Sequence, residues 1–431
     1  MMDAGYILII SFFLLLVVGV PIGICIAASS ALTILLALPA DIAIFTTAQK
    51  MVASLDSFTL LAVPFFILSG VLMNNGGIAL RLVNFAKLFS GKVPGSIAHT
   101  NIVGNMMFGA VSGSAIAAST SIGGVMVPMG VKEGYSRPFS AAANIASAPT
   151  GMLIPPTTAF ILYALASGGT SISALFAGGL IAGCLWGFGC ILVVYIVARS
   201  RGYTSKVDLK PGSTRRVTLE ALPSLLLIII IVGGIVAGIF TAVEASAISV
   251  IYTMFLTMVL YKTIGLMSFL ASLRRATETT GVIMFLLAAS SAMSFAMSIT
   301  GLPAEISSLI LGVSENPIAI LLIITLVLLV VGCFMDIGPA ILIFTPIFLP
   351  ITNAIGVDPI HFGIIMVFNL CIGTITPPVG TGLFIGAGIA REKVERLILP
   401  LLPFYAVIIF ILLLITYVPS ITLFLPKALG L

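Results

Sequence analysis

The sequence predicts an all-α polytopic membrane protein of two inverted repeats, each carrying a re-entrant helical hairpin and a discontinuous helix. Four observations lead there. Of 431 residues, 60% are hydrophobic and 8% charged, against about 25% charged in soluble domains. Apolar runs follow one another nearly end to end, and a spanning helix needs roughly 20 such residues. The 42 glycines and 23 prolines fall largely inside those runs, which favours broken helices over a plain bundle. The runs are continuous rather than alternating, which argues against a β-barrel. Finally, two stretches share one unusual design. Asn144 to Thr158 (NIASAPTGMLIPPTT) is interrupted at Gly151, Pro155 and Pro156; Asn369 to Thr381 (NLCIGTITPPVGT) is interrupted at Gly373, Pro377 and Pro378. Proline removes a backbone donor and clashes with the preceding turn, so no helix runs unbroken through Pro-Pro. In a bilayer the freed backbone groups are tolerated only where protein or a wet cavity satisfies them. Paired breaks at matching places in two halves point to a transport site.

The first repeat, 1–198, opens with an apolar run from Tyr6 to Leu38, kinked at Gly19-Val20-Pro21. No basic segment precedes it and no clear cleavage site follows, so it reads as a retained span rather than a signal peptide. Asp41 to Asp56 is more polar and suits an interface. Phe58 to Met73 is a span. Gly76 to Lys92 places Arg81, Lys87 and Lys92 among apolar residues, the pattern of an amphipathic helix lying on the membrane surface. About 94–129 is dense in Gly, Ser, Ala and Asn around Ser112-Gly113-Ser114 and predicts the first hairpin. The first broken helix follows over about 137–167, then a span from Ile172 to Val197.

The segment 199–217 reads as a basic linker. Arg199, Arg201, Lys206, Lys210, Arg215 and Arg216 stand against one acid, Asp208, and the positive-inside rule puts them in the cytoplasm. The second repeat, 218–431, starts with a pair of spans around GIFTAVEASAIS, which echoes GVPIGICIAASS. Gly281 to Thr300 is a span and Pro303 to Val313 a short connector. About 316–350 predicts the second hairpin, with its tip at Gly332-Cys333-Phe334-Met335-Asp336. The second broken helix occupies about 359–389, and Leu397 to Leu425 is the last membrane segment. Three landmarks repeat at one offset of 222 positions: Pro128 with Pro350, Gly151 with Gly373, and Pro155 with Pro377. Internal duplication explains them together.

Composition excludes other classes. The net charge of +5 resides in short connectors and does not imply nucleic acid. Cys25, Cys184, Cys190, Cys333 and Cys371 lie in apolar surroundings and read as free thiols. His99 and His361 offer no zinc spacing. No Ser-His-Asp set, phosphate loop or nucleotide motif is present, so neither an enzyme nor ATP use is expected.

At these residues the chain resembles the large membrane subunit of the tripartite ATP-independent periplasmic (TRAP) transporters. The resemblance rests on LLAVPFFILSG (Leu60 to Gly70), FGAVSGSAIA (Phe108 to Ala117), GMLIPPT (Gly151 to Thr157), GIFTAVEA (Gly238 to Ala245), GCFMD (Gly332 to Asp336) and IGTITPPVG (Ile372 to Gly380). In GIFTAVEA, Ala242 and Val243 replace the family's usual Pro and Thr. The resemblance implies a sodium-driven secondary transporter of the bacterial inner membrane that works by an elevator motion. It implies two partners, a small four-helix membrane subunit and a periplasmic substrate-binding protein. Family substrates are organic acids such as C4-dicarboxylates and sialic acids. The absence of arginine from the tips leans toward sialic acid, because a second carboxylate would want one.

Sodium as coupling ion, the one expected ligand besides substrate, wants oxygen. Helix breaks supply carbonyl oxygens and negative half-helix ends. One site is expected per repeat: the first from Gly109, Ser112, Ser114, Gly151, Ile154 and Pro156, the second from Gly332, Phe334, Asp336, Gly373, Thr376 and Pro378. The alternative is that these small residues only permit close helix packing. Asp336 is the one tip carboxylate, and ionisable groups at membrane depth are functional candidates. Glu244, outside the hairpins and breaks, reads as structural, and Arg274, Arg275 and Glu278 as interfacial. Substrate contacts are expected from Asn144 and Asn369 before the breaks and from Thr157, Thr158 and Thr381 after them. Rival readings are a stand-alone sodium-coupled anion symporter and a non-transporting membrane scaffold subunit.

Overall fold

The computed structural model describes residues 2–91, 93–203, 213–314 and 316–431, and every regular element among them is helical. Nine of these helices are long and apolar enough to cross a membrane.

The breaks fall where sequence chemistry requires them. In the first hairpin, Ser96–Ser112 ends at Gly113, whose φ of +61° only glycine adopts without cost. Ser114 then caps Ala115–Lys132, its hydroxyl accepting from the Ala117 N–H at 3.3 Å. In the second, Pro317–Phe334 and Ile337–Ala354 are separated by Met335 and Asp336 in extended conformation. The arms of the first hairpin pack closely along one another; those of the second do so much less, and Pro317–Phe334 packs mainly on Pro359–Gly373. The first broken helix comprises Arg137–Ser147, Thr150–Leu153 and Thr158–Ala166, bent by 49°. The second comprises Pro359–Gly373 and Thr381–Ala390. Both proline pairs, Pro155-Pro156 and Pro377-Pro378, are joined by cis bonds.

Packing repeats between the halves with partners exchanged. Thr158–Ala166 lies against Ile337–Ala354, and Thr381–Ala390 against Ala115–Lys132. Arg137–Ser147 lies against Val394–Tyr417, and Pro359–Gly373 against Ile172–Ser200. Outside this group, Ile22–Ala37 packs on Leu266–Thr300, and Ala242–Met254 on Phe58–Asn75. Each contact has a counterpart one repeat away, as duplication demands.

Several boundaries differ from the sequence reading. Pro303 to Val313 is no connector but a helix, Leu302–Val313, capped at its start by Gly301. Its amphipathic pattern is weaker in sequence because it carries one acid and no base. The span at Gly281 begins earlier, at Leu266, because Arg274, Arg275 and Glu278 sit on exposed helical turns and the Arg274–Glu278 pair closes at 2.9 Å. The final segment is two helices, Val394–Tyr417 and Pro419–Ala428, divided before Pro419. The linker is helical at both ends: Arg199 belongs to Ile172–Ser200, and Arg215 and Arg216 to Ser213–Val236. Lys206, Asp208 and Lys210 lie outside the described residues. The helix Ile78–Ser90 buries Ile78, Leu82, Val83 and Ala86 on one face and exposes Leu80. Arg81 stacks 3.7 Å from the centre of the Tyr261 ring.

Candidate functional site

The two hairpin tips meet the two helix breaks backbone to backbone. A β-carbon on Gly151 would stand 2.3 Å from the Cα of Gly109, and one on Gly109 would stand 2.3 Å from the Cα of Gly151. In the second half a β-carbon on Gly373 would stand 2.2 Å from the carbonyl carbon of Gly332 and 2.4 Å from its Cα. No side chain fits at Gly109, Gly151 or Gly373, and a β-carbon on Gly332 would stand 3.1 Å from the Gly373 Cα, so main chain faces main chain at each junction. Pro155 and Pro156 cannot donate to the carbonyls of Gly151 and Met152 one turn back; Pro377 and Pro378 likewise cannot serve Gly373 and Thr374.

Around the first junction, the Gly109 carbonyl accepts from the Gly113 N–H at 2.7 Å and keeps a second lone pair. Ser112 and Ser114 are half-buried. Ser112 carries its carbonyl against Gly70, where a β-carbon would come within 2.8 Å of the oxygen. Gly113 faces the carbonyl of Pro156, which is buried. Ile154 ends the short middle turn, and its buried side chain fills the space over Gly183. Gly109, Ser112, Gly151 and Pro156 are thus brought to one junction.

Around the second, the Cys333 carbonyl accepts from the Gly380 N–H at 3.3 Å, tying tip to break. The Thr374 carbonyl accepts from Gly382 at 2.8 Å and so caps the far half-helix. The Thr376 hydroxyl donates to the Ile372 carbonyl at 2.7 Å. Tyr405 donates its hydroxyl proton to the Ile375 carbonyl. Asp336 stands at the helix start without a capping bond and is exposed, as are Phe334 and Pro378. Gly332, Gly373 and Thr376 lie inward of them.

The expected substrate residues divide. Asn144 is fully buried and engaged by protein: its amide donates to the Ser119 carbonyl at 3.1 Å and hydroxyl at 3.0 Å. Its side-chain oxygen accepts from Asn105 at 3.1 Å. Asn369 is also fully buried but, among the described residues, donates only to the Ile365 carbonyl at 2.9 Å, and its side-chain oxygen has no partner there. Thr157 caps the half-helix Thr158–Ala166, accepting from Phe160 at 3.4 Å. Thr158 is half-buried and Thr381 exposed.

Sequence reading missed Asn105, which donates to Asn144 and, at 2.8 Å, to Ser147. The pair Asn101 and Asn105, one turn apart in an apolar arm, was the available signal. It also missed Trp186, whose indole N–H donates to the Ala146 carbonyl at 2.7 Å; a single Trp in a Gly-rich span gave no chemical cue. Glu244 completes a capping box with Thr241, accepting its N–H at 2.8 Å and its hydroxyl at 2.9 Å.

A cleft of about 910 Å³ lies elsewhere, and none of the expected site residues lines it. Its walls are Phe58 to Leu60, Gly168 to Ser173, Phe240 to Val243, and Ser290, Ser291 and Ser294.

Comparison with known proteins places the chain. Residues 9–421 match the family model described as "Tripartite ATP-independent periplasmic transporter, DctM component". The chain is 49% identical over 416 residues to the uncharacterized protein YgiK of Salmonella typhimurium, covering 96% of this chain and 95% of that one. It is 39% identical to the isethionate TRAP transporter permease protein DctMQ of Oleidesulfovibrio alaskensis, covering 96% of this chain and 65% of that one. It is 35% identical to the sialic acid TRAP transporter large permease protein SiaM of Vibrio cholerae, covering 88% and 89%. Among solved structures, the Alcanivorax borkumensis YdaH transporter shares the fold, with a TM-score of 0.64 at 14% identity and 88% of each chain covered.

Proposed function

We infer the activity from one premise: the chain belongs to the DctM-component family of tripartite ATP-independent periplasmic transporters, as their large membrane subunit. It is a multi-pass inner-membrane protein and not an enzyme. From that premise we propose sodium-coupled uptake of an organic acid, working with a small four-helix membrane subunit and a periplasmic binding protein.

One observation carries the proposal. Glycine meets glycine at a hairpin tip and a helix break, and does so twice, once per repeat. Such a junction presents carbonyl oxygen at close quarters and excludes side chains, which suits a hard cation. Gly109, Ser112, Gly151, Ile154 and Pro156, with the Ser114 hydroxyl, make the first sodium cradle. Gly332, Gly373, Thr376 and Pro378 make the second, with Phe334 at its edge and Asp336 as the charged neighbour. The acid then binds beside the occupied cradles, where Thr157, Thr158 and Thr381 start half-helices and Asn369 holds a free oxygen. In this reading the hairpins re-enter the membrane, and the hairpins, broken helices, Ile172–Ser200 and Val394–Tyr417 move as one body against the remaining helices. The exchanged packing of the two halves supports treating them as one body. A sialic acid or a C4-dicarboxylate is the expected class of cargo.

The test is uptake into proteoliposomes holding the membrane subunits, with binding protein outside and an imposed sodium gradient. Uptake should require sodium and the binding protein. Undiminished uptake without sodium would remove the coupling mechanism, and uptake without the binding protein would favour a stand-alone symporter.

A further inference from the structure

We propose that the cleft of about 910 Å³ is a second, outward-facing binding site that receives a monoanionic, hydroxyl-bearing organic acid on a wall of serine hydroxyls. The proposal rests on the transport reading above and extends it to a different place in the molecule.

The side on which the cleft opens follows from two helices. Ile172–Ser200 has Ile172 in the cleft wall and Arg199 at its far end. Ser213–Val236 has Arg215 and Arg216 at its start and Ile235 in the wall. With 29 and 24 residues these helices are about 43 and 36 Å long, enough to separate the two ends across a bilayer. Basic ends mark the cytoplasmic face, so the cleft opens on the periplasmic one. That is the face from which a binding protein would hand over cargo.

The wall is built to donate hydrogen bonds. Ser290 is 6% exposed, lines the cleft, and its hydroxyl has no partner among the described residues. Elsewhere on the same helix Ser272, Thr277 and Thr300 each donate to a carbonyl one turn back, at 2.8 to 3.0 Å. A buried hydroxyl that forgoes this bond is costly unless something else takes it. Ser291 and Ser294 stand half-buried on the same wall, and Thr59, Ser171 and Ser173 also line the cleft. The other repeat shows what a purely structural arrangement looks like. Ser69, 222 positions before Ser291, is sealed by the Ser249 hydroxyl at 2.6 Å and the Thr253 hydroxyl at 3.0 Å. One repeat closes its serines into a helix seam; the other turns them to an open cleft.

The ligand class follows from the lining. No Asp, Glu, Lys, Arg or His is among the lining residues, so the wall offers neutral donors and no counter-charge. Of the acids beside the wall, Glu244 is spent in its capping box, and Asp56, next to Ser57, is exposed. Neutral donors suit one delocalised anionic group accompanied by hydroxyls, and a dianion loses more solvation than they return. The volume lies within the range of small-molecule sites.

The test uses the full membrane complex in right-side-out vesicles. Ser294→Cys is labelled from outside with a membrane-impermeant anionic methanethiosulfonate, the unsubstituted chain giving the background of native cysteines. Labelling should exceed background and be slowed by N-acetylneuraminate or isethionate but not by succinate. Absence of external labelling, or labelling that no acid slows, overturns the site; slowing by succinate alone overturns the monoanion assignment. Independently, Ser290→Ala should raise the KM of uptake about five-fold, the effect of one hydrogen bond, with maximal rate and sodium dependence kept. A lowered maximal rate at unchanged KM overturns the assignment. Failure of the unsubstituted complex to take up any of the three acids would strike the transport reading, while protection of Cys labelling would still decide the cleft.

Discussion

Gly151→Ala is the sharpest perturbation of the junction. The new methyl carbon would begin 2.3 Å from the Cα of Gly109, 2.8 Å from its carbonyl carbon and 3.2 Å from its oxygen. Non-bonded carbons settle at about 3.5–4.0 Å, so tip and break must part by more than about 1 Å. Both partners are main chain, so no rotamer change relieves the clash. Overpacking of this kind costs about 1–3 kcal/mol, and here it also widens the cradle proposed for sodium. The expected result is a lower melting temperature for the purified subunit and a several-fold higher sodium concentration for half-maximal uptake. Gly124→Ala on the hairpin arm is the control, because nothing lies within 4 Å of its would-be β-carbon; it should leave both readings within error. A Gly151→Ala protein with unchanged sodium dependence and melting temperature would refute the reasoning.

Gly373→Ala should repeat the effect in the second half, since its methyl carbon would stand 2.2 Å from the Gly332 carbonyl carbon; sodium titration of uptake checks it. Asn144→Ala removes a clamp joining Asn105 and Ser119 and should cost about 1–3 kcal/mol of stability, read as a lowered melting temperature. Asn369→Ala loses one bond and an unpartnered oxygen, so stability should change less than for Asn144→Ala while uptake falls; equal thermal effects in the two variants would contradict the division of roles. Asp336→Asn should weaken sodium dependence with little change in thermal stability, because the residue is exposed and makes no side-chain capping bond to its helix.

What the sequence disclosed was the backbone chemistry. Pro-Pro must break a helix, Gly113 and Ser114 must turn one, and a fixed offset between such signals must mean a repeat. Those signals act within a few residues, so they are readable in one dimension. The Gly-on-Gly contacts were only half readable: each glycine could be singled out, but its facing partner lies across the fold. The two asparagines show the limit most clearly. Asn144 and Asn369 occupy matching places in matching motifs, yet one is fully engaged and the other holds a free oxygen. The difference comes from Asn105, which has no counterpart amide in the apolar arm Pro317–Phe334. Nor did hydropathy reveal the cleft, since its serines sit in a span whose mean character is apolar.

The exchanged packing has a consequence for how the gene can be divided. Tyr163 of the first half seats on Gly363 of the second, where a β-carbon would come within 2.3 Å of its ring, and donates to the Pro359 carbonyl at 2.7 Å. Ile145 seats on Gly386, where the clearance is 2.1 Å. In return, Ile364 of the second half seats on Gly178 of the first, where a β-carbon would come within 2.4 Å of its side chain, so each half supplies a socket for the other's plug. Split at the linker and expressed as two polypeptides, neither should accumulate without its mate. A chimera with a relative's half should assemble only when the large residue and its facing glycine are inherited together.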